Sequence, residues 1–108
     1  MRVFISWSGP ASKEIASALK GVLGAMIQSA DFYMSAADND AGTLWEQEVG
    51  SNLQESNFGI LCLTPDNLES RWLLFEAGAL SKFAGASRVI PFLAGVQKSD
   101  VKPPLAKF

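Results

Sequence analysis

The sequence predicts an α/β protein, with a parallel sheet of four to five strands held between helices in a three-layer sandwich. Three observations carry this reading. Short apolar, β-rich runs alternate with longer segments of helical period, in the order β-α-β-α-β-α-β. The runs lack strict in–out alternation, as strands covered on both faces do. The segments between them are long enough for crossovers, so neighbouring strands pair in parallel.

The elements follow in order. "RVFISW" (2–7) is the first strand. It ends in "SGP", where Ser8 or Gly9 caps a helix and Pro10 suits its first turn. Ile15, Leu19, Val22, Leu23, Met26 and Ile27 recur at helical spacing, which predicts a helix over about 10–28. "DFYMS" (31–35) is a shorter strand, followed by the polar loop "AADNDAG" (36–42). Thr43 and Glu46 form a capping box for a helix with Trp45, Val49 and Leu53 on one stripe. "NFGILCLT" (57–64) is the third strand, and Asp66 or Ser70 caps the helix after it. On that helix Glu76 shares a face with Trp72, Leu73, Ala79, Leu80 and Phe83. "RVIPFLA" (88–94) is the fourth strand, which Pro91 places at an edge or a bulge. The tail "QKSDVKPPLAKF" has no periodicity, and its Pro-Pro pair opposes a helix.

Composition narrows the function classes. With 108 residues, the expectation is one domain, 1–108, that stops where a last helix and strand would come, either C-terminally truncated or completed by something outside this chain. A net charge of −2 and no Lys/Arg cluster give no pull toward nucleic acid or an anionic membrane. No apolar run approaches the roughly 20 residues that span a bilayer. Cys62 is the single cysteine, set in the apolar run "FGILCL", which suits a buried small hydrophobe and a reducing, cytoplasmic setting. The chain has no histidine, which excludes Ser-His-Asp and Cys-His catalysis and the common zinc sites.

In a parallel sheet, ligands sit beyond the carboxyl ends of the strands, at the point where strand order reverses. "SWSGP", "SAADNDAGT" and "TPDNLES" fall there. Glu76 lies one to two turns into the helix that starts at that edge. It is either a helix residue partly exposed or paired with Arg71 or Arg88, or a cleft carboxylate whose apolar surround raises its pKa. Trp72, four residues earlier, is either core or a flat face for ring stacking. "SWSGPAS" is either an ordinary N-cap or a phosphate cradle built from Ser8, Ser12 and backbone N–H groups, loosely like the flavodoxin loop that binds FMN. Asp38 and Asp40 suit turn chemistry better than a metal pair, since "DNDAG" lacks the later ligands of a calcium loop. No metal is expected.

"VFISWSG", "SAADNDAGTLWEQEV" and "SRWLLFEAGALSK", in this order over residues 2 to about 94, together resemble bacterial TIR (Toll/interleukin-1 receptor) domains. The resemblance implies a flavodoxin-like TIR fold. It also implies self-association through TIR–TIR contacts that include loop 36–43, the family's BB loop. Enzymatic members cleave NAD⁺ at the nicotinamide–ribose bond with a helix glutamate from a Trp-Cys-x-x-Glu-like motif. Here that motif reads Trp72-Leu73-Leu74-Phe75-Glu76, with Leu replacing Cys. The resemblance thus assigns the catalytic role to Glu76 and ring stacking to Trp72. It places Trp7, Ser8, Ser35 and Trp45 among the substrate-binding residues. Ser8 and Gly9 stand where some enzymatic relatives carry basic residues, so hydroxyls and backbone N–H groups would hold the pyrophosphate. NAD⁺ is then the substrate, and no cofactor is expected. The implied setting is bacterial antiviral defence, by NAD⁺ depletion or a signal nucleotide. Two rivals stand beside it: a TIR module that only binds other TIR surfaces, and an FMN-binding flavodoxin-like domain.

Overall fold

The computed structural model describes residues 1–35, 51–85, 88–103 and 105–108. Its centre is a four-stranded sheet in the order β2-β1-β3-β4, with β1 Arg2–Ser6, β2 Asp31–Met34, β3 Phe58–Leu63 and β4 Val89–Leu93. All three strand pairings are parallel. Helix α1 (Pro10–Met26) connects β1 to β2, residues 51–55 are helical (α2) before β3, and α3 (Arg71–Ala84) connects β3 to β4. The order 2-1-3-4 is the start of the flavodoxin-like α/β arrangement, with its switch point between β1 and β3. The chain moves outward from β1 to β2 and, on the other side, from β3 to β4. Crossovers of one hand therefore put α1 and α3 on opposite faces.

The side chains bear this out. Ile5, Trp7 and Cys62 pack with Ala16 of α1, joined by Phe32, Met34 and Ile60. Phe4, Leu61, Leu63 and Val89 pack with Leu53 of α2 and with Leu73, Ala77 and Leu80 of α3. β1 is thus buried on both faces, as its lack of apolar–polar alternation foretold. Leu105, in a 3-10 turn of the aperiodic tail, also enters the α3-side core. Pro91 sits on the edge strand β4, opposite Leu61, where a missing N–H is tolerated.

Two expectations need correction. Val22, Met26 and Ile27 are exposed, so the face of α1 on the sheet is Ser12, Ile15, Ala16 and Leu19. At about 1.5 Å per residue α1 is roughly 25 Å long, whereas β1 spans roughly 17 Å, so the helix from about Val22 onward overhangs the sheet. Phe83 is exposed for the same reason. Leu80 already lies over Gly59 near the start of β3, and one turn farther the helix has no strand beneath it. The polar loop 36–43, the Thr43–Glu46 capping box, Trp45, Val49, Asp38 and Asp40 lie outside the described residues. Among the described residues, no helix is long and apolar enough to cross a membrane.

The approach of α3 to β3 depends on glycine. A Cβ at Gly59 would lie 2.5 Å from Leu80 Cδ1 and 3.2 Å from its Cγ, inside a fully buried contact. Gly59→Ala is expected to destabilise the fold by about 1–3 kcal/mol through overpacking. Urea unfolding of Gly59→Ala, Leu80→Ala and the double variant checks this: the clash predicts a double-variant loss smaller than the sum.

Candidate functional site

Side-chain alternation along β1 builds the site. Ile5 and Trp7 turn toward α1, so Ser6 between them turns toward α3. Opposite it, α3 starts at Ser70, whose Oγ accepts the Leu73 N–H at 3.3 Å as an N-cap. Leu73, Glu76, Ala77 and Leu80 form the buried stripe of the helix, so its periodicity carries a carboxylate into the core side. Glu76 is 0% exposed. Its Oε1 accepts the Ser6 hydroxyl at 2.5 Å, and its Oε2 is buried with no partner among the described residues.

The electrostatics follow from this packing. Burial pushes the Glu76 carboxyl up to about 8, because an apolar surround penalises the ionised form. Ser6, Ser35 and Trp72 temper the rise by favouring the anion. Trp72 Nε1 donates to Ser35 Oγ at 2.7 Å, and Oε2 of Glu76 has no hydrogen-bond partner among the described residues. The ion pair that Arg71 or Arg88 was expected to offer does not form: Arg71 is exposed and Arg88 lies 5.4 Å from the Phe58 ring centre. The carboxylate expected to line an open cleft is instead fully covered.

Ser35 is the junction of this cluster. It follows β2 directly and is 4% exposed. Its N–H donates to Ile5 O at 2.8 Å, its carbonyl accepts Trp7 Nε1 at 2.6 Å, and its hydroxyl accepts the Trp72 indole. Two tryptophans from different elements therefore hold the first residue after β2. For Trp7 this corrects the expected place beside a pocket. It is 3% exposed in the α1-side core, with Lys13 Nζ 5.3 Å over its ring, because strand alternation turns it away from Glu76. Trp72 is half-buried and sits one turn before Glu76, as its spacing required. The expectation for Trp45 lies outside the described residues.

A polar lattice ties the carboxyl ends of β1 and β3 together. Asn67 Oδ1 accepts the Thr64 N–H at 2.8 Å, and Asn67 Nδ2 donates to Ser8 O at 2.9 Å and to Cys62 O at 3.0 Å. Ser70 Oγ donates to Ser8 Oγ at 3.0 Å. Gly9, at φ 91, lets the chain turn into α1 close to Asp66, whose Oδ2 lies 3.4 Å from where a Cβ would stand. Ser12 is fully buried, donating to Cys62 O at 2.7 Å and accepting the Ser8 N–H at 3.2 Å. This corrects the phosphate cradle: the Ser12 hydroxyl is spent inside the fold, and an acidic side chain stands at the helix start. Cys62 is buried with its thiol pushed up to about 12, an inert packing residue as expected.

Ser6 and Asn67 were not singled out from the sequence. The signal for Ser6 is parity: in "FIS" the serine shares a face with Phe4, and the face toward α3 is the one that must accommodate Glu76. The signal for Asn67 is its place in a turn that leaves backbone N–H groups to satisfy.

The raised acid sets a pH dependence of stability. A glutamate ordinarily titrates at 4.5, and here at about 8. Between those values the unfolded chain has released a proton that the folded chain keeps, so stability falls as pH rises across that window. The slope from this group is at most about 1.4 kcal/mol per pH unit. Below the window the penalty is absent, and above it the penalty is constant. Glu76→Gln is therefore expected to raise the melting temperature at pH 8 well above wild type and to change it little at pH 4.5. Thermal melts at the two pH values check this.

No curated protein matches the sequence. A family model described as TIR domain matches residues 3–108. That span takes in all of the described sheet but Arg2, the Ser6–Glu76 pair and the Trp72-to-Glu76 stretch of α3, and so the chain belongs to the TIR domain family.

Proposed function

We propose that the protein is an NAD⁺-cleaving TIR domain in which Glu76 acts on the nicotinamide–ribose bond. The observation that carries this reading is the buried Glu76 carboxyl, with one oxygen held, the other without a partner and no counter-cation among the described residues. A buried acid kept only for structure has its oxygens satisfied, because an unpaired one costs free energy. An acid left half-satisfied and strongly shifted marks a functional position.

The chemistry suits one carboxylate. An ordinary glycosidase needs a second carboxyl group to protonate a poor leaving group. Nicotinamide is positively charged in NAD⁺ and departs neutral when the C1′–N bond breaks and the electron pair goes to its ring. No acid is needed. Glu76 hydrogen-bonds the ribose hydroxyls and stabilises the oxocarbenium-like transition state. Water then adds to C1′, releasing a proton and giving ADP-ribose, or an adenine nitrogen adds and gives a cyclic isomer. The same features explain how an acid at about 8 serves at neutral pH. The covered site keeps it largely protonated, and a cationic ring brought beside it favours the anion. Because Glu76 is fully covered in this structure, substrate reaches it only once that cover is displaced.

TIR domains generally self-associate. On the family's pattern, contacts through loop 36–43 activate the site, the setting is the cytoplasm, and the role is bacterial antiviral defence. The complete burial of Glu76 favours a second reading, a module that only docks on other TIR surfaces. One assay separates the two. Concentrated protein incubated with NAD⁺ is expected to release nicotinamide, measured by chromatography, and Glu76→Gln is expected to lower the rate by about 100-fold or more with the fold retained. Equal turnover by the variant, or none by wild type, defeats the enzymatic reading.

A further inference from the structure

We propose that Ser6 is the positioning residue of the site: its hydroxyl fixes Oε1 of Glu76, so that Oε2 is the oxygen presented to the vicinal hydroxyls of a substrate ribose. The assignment rests on the reading of Glu76 given above and specifies which atom of it meets the sugar.

The geometry carries it in three steps. First, Ser6 is anchored on rigid backbone. β1 is paired on both sides, with Ile5 opposite both Met34 and Ile60 and Ser6 opposite Leu61, and Ser6 is fully buried. A group on a central strand is placed more accurately than one on a loop. Second, a glutamate has three rotatable bonds, and its terminal torsion is broad. One hydrogen bond from a fixed strand to Oε1 stops the carboxyl group from turning and defines where Oε2 stands. Third, the pair is asymmetric. A serine–glutamate contact that served folding alone would leave neither oxygen orphaned, yet Oε2 is buried and unsatisfied among the described residues. Two ribose hydroxyls are donors of the kind that oxygen lacks.

Ser35 and Trp72 also favour the Glu76 anion. Ser35 is held by Ile5, Trp7 and Trp72, and Trp72 donates to Ser35. The groups that bear on the carboxyl are all uncharged: Ser6 from β1, Ser35 at the end of β2 and Trp72 on α3. The charged side chains of the same elements turn elsewhere. Arg2 pairs with Glu55, and Asp31, Arg71 and Lys82 are exposed. Ser6 donates to the acid at 2.5 Å, and its removal is expected to raise the Glu76 pKa further.

The test uses the whole chain and two independent readouts. Titration of Glu76 followed by carbon-13 NMR is expected to move upward in Ser6→Ala and in the near-isosteric Ser6→Cys, and to stay near wild type in Ser6→Thr, which keeps the hydroxyl. With NAD⁺, Ser6→Ala is expected to lower kcat by about 10- to 100-fold, the effect of one lost hydrogen bond to a charged group. KM should stay within about twofold, and the rising limb of the pH–rate profile should shift to higher pH. An unmoved titration in both Ser6→Ala and Ser6→Cys overturns the contact itself. A moved titration with unchanged kcat overturns the positioning role. A wild type that releases no nicotinamide, while the titration still responds to Ser6, overturns the NAD⁺ reading and Ser6's part in turnover together.

Discussion

β1 is the constraint on which the other elements depend, because it is buried on both faces and paired along both edges. Phe4, Ile5 and Ser6 are each 0% exposed, and the strand's neighbours β2 and β3 leave no free edge for water. A slip of one residue would exchange the two faces. Trp7 would then meet Glu76, and the Ser6 hydroxyl would enter the apolar cluster beneath α1. The register that satisfies the core is therefore the register that brings a hydroxyl to the acid. Fold and site share one cause.

Around this strand the polar groups divide into two kinds. Those at the loops beyond β1 and β3 are satisfied by one another: Asn67 closes on Ser8, Thr64 and Cys62, Ser12 on Cys62, and Ser70 on Ser8. Each such bond contributes only about 1 kcal/mol net, but each would cost more if left open in the interior. Their joint effect is to hold the start of α3 against the end of β1. Glu76 is the other kind, a buried group whose second oxygen has nothing to bond. The satisfied lattice supplies the rigidity within which an unsatisfied acid can be kept. Large shifts of this type gather where a fold gives up stability for chemistry.

Much of the architecture was legible from the chain alone. Apolar runs separated by helical periods gave the four strands and the parallel class, and Pro91 marked its strand as an edge. The Trp72–Glu76 spacing put both residues on one helix face. Less legible were the limits of each buried stripe. Val22, Met26, Ile27 and Phe83 carry the right period but are exposed, because periodicity specifies direction around a helix and says nothing of where the sheet beneath it ends. Leu105 was missed for the converse reason: a single residue in an aperiodic turn reaches the core by position, without pattern.

At the site, the one-dimensional pattern determined that an acid stands among apolar residues on a helix, one turn after a tryptophan and on a chain without histidine. These facts follow from residue identity and local period, and both survive in any fold. What tertiary structure decided is which groups meet that acid. Ser6 lies 70 positions away along the chain, and only the pairing of β1 with β3 and the seating of α3 bring its hydroxyl to Oε1. The same packing sent Trp7 to the opposite face and spent Ser12 on a backbone carbonyl. Partners at such separations are chosen by sheet order and strand parity, which are properties of the assembled layers and of no local stretch.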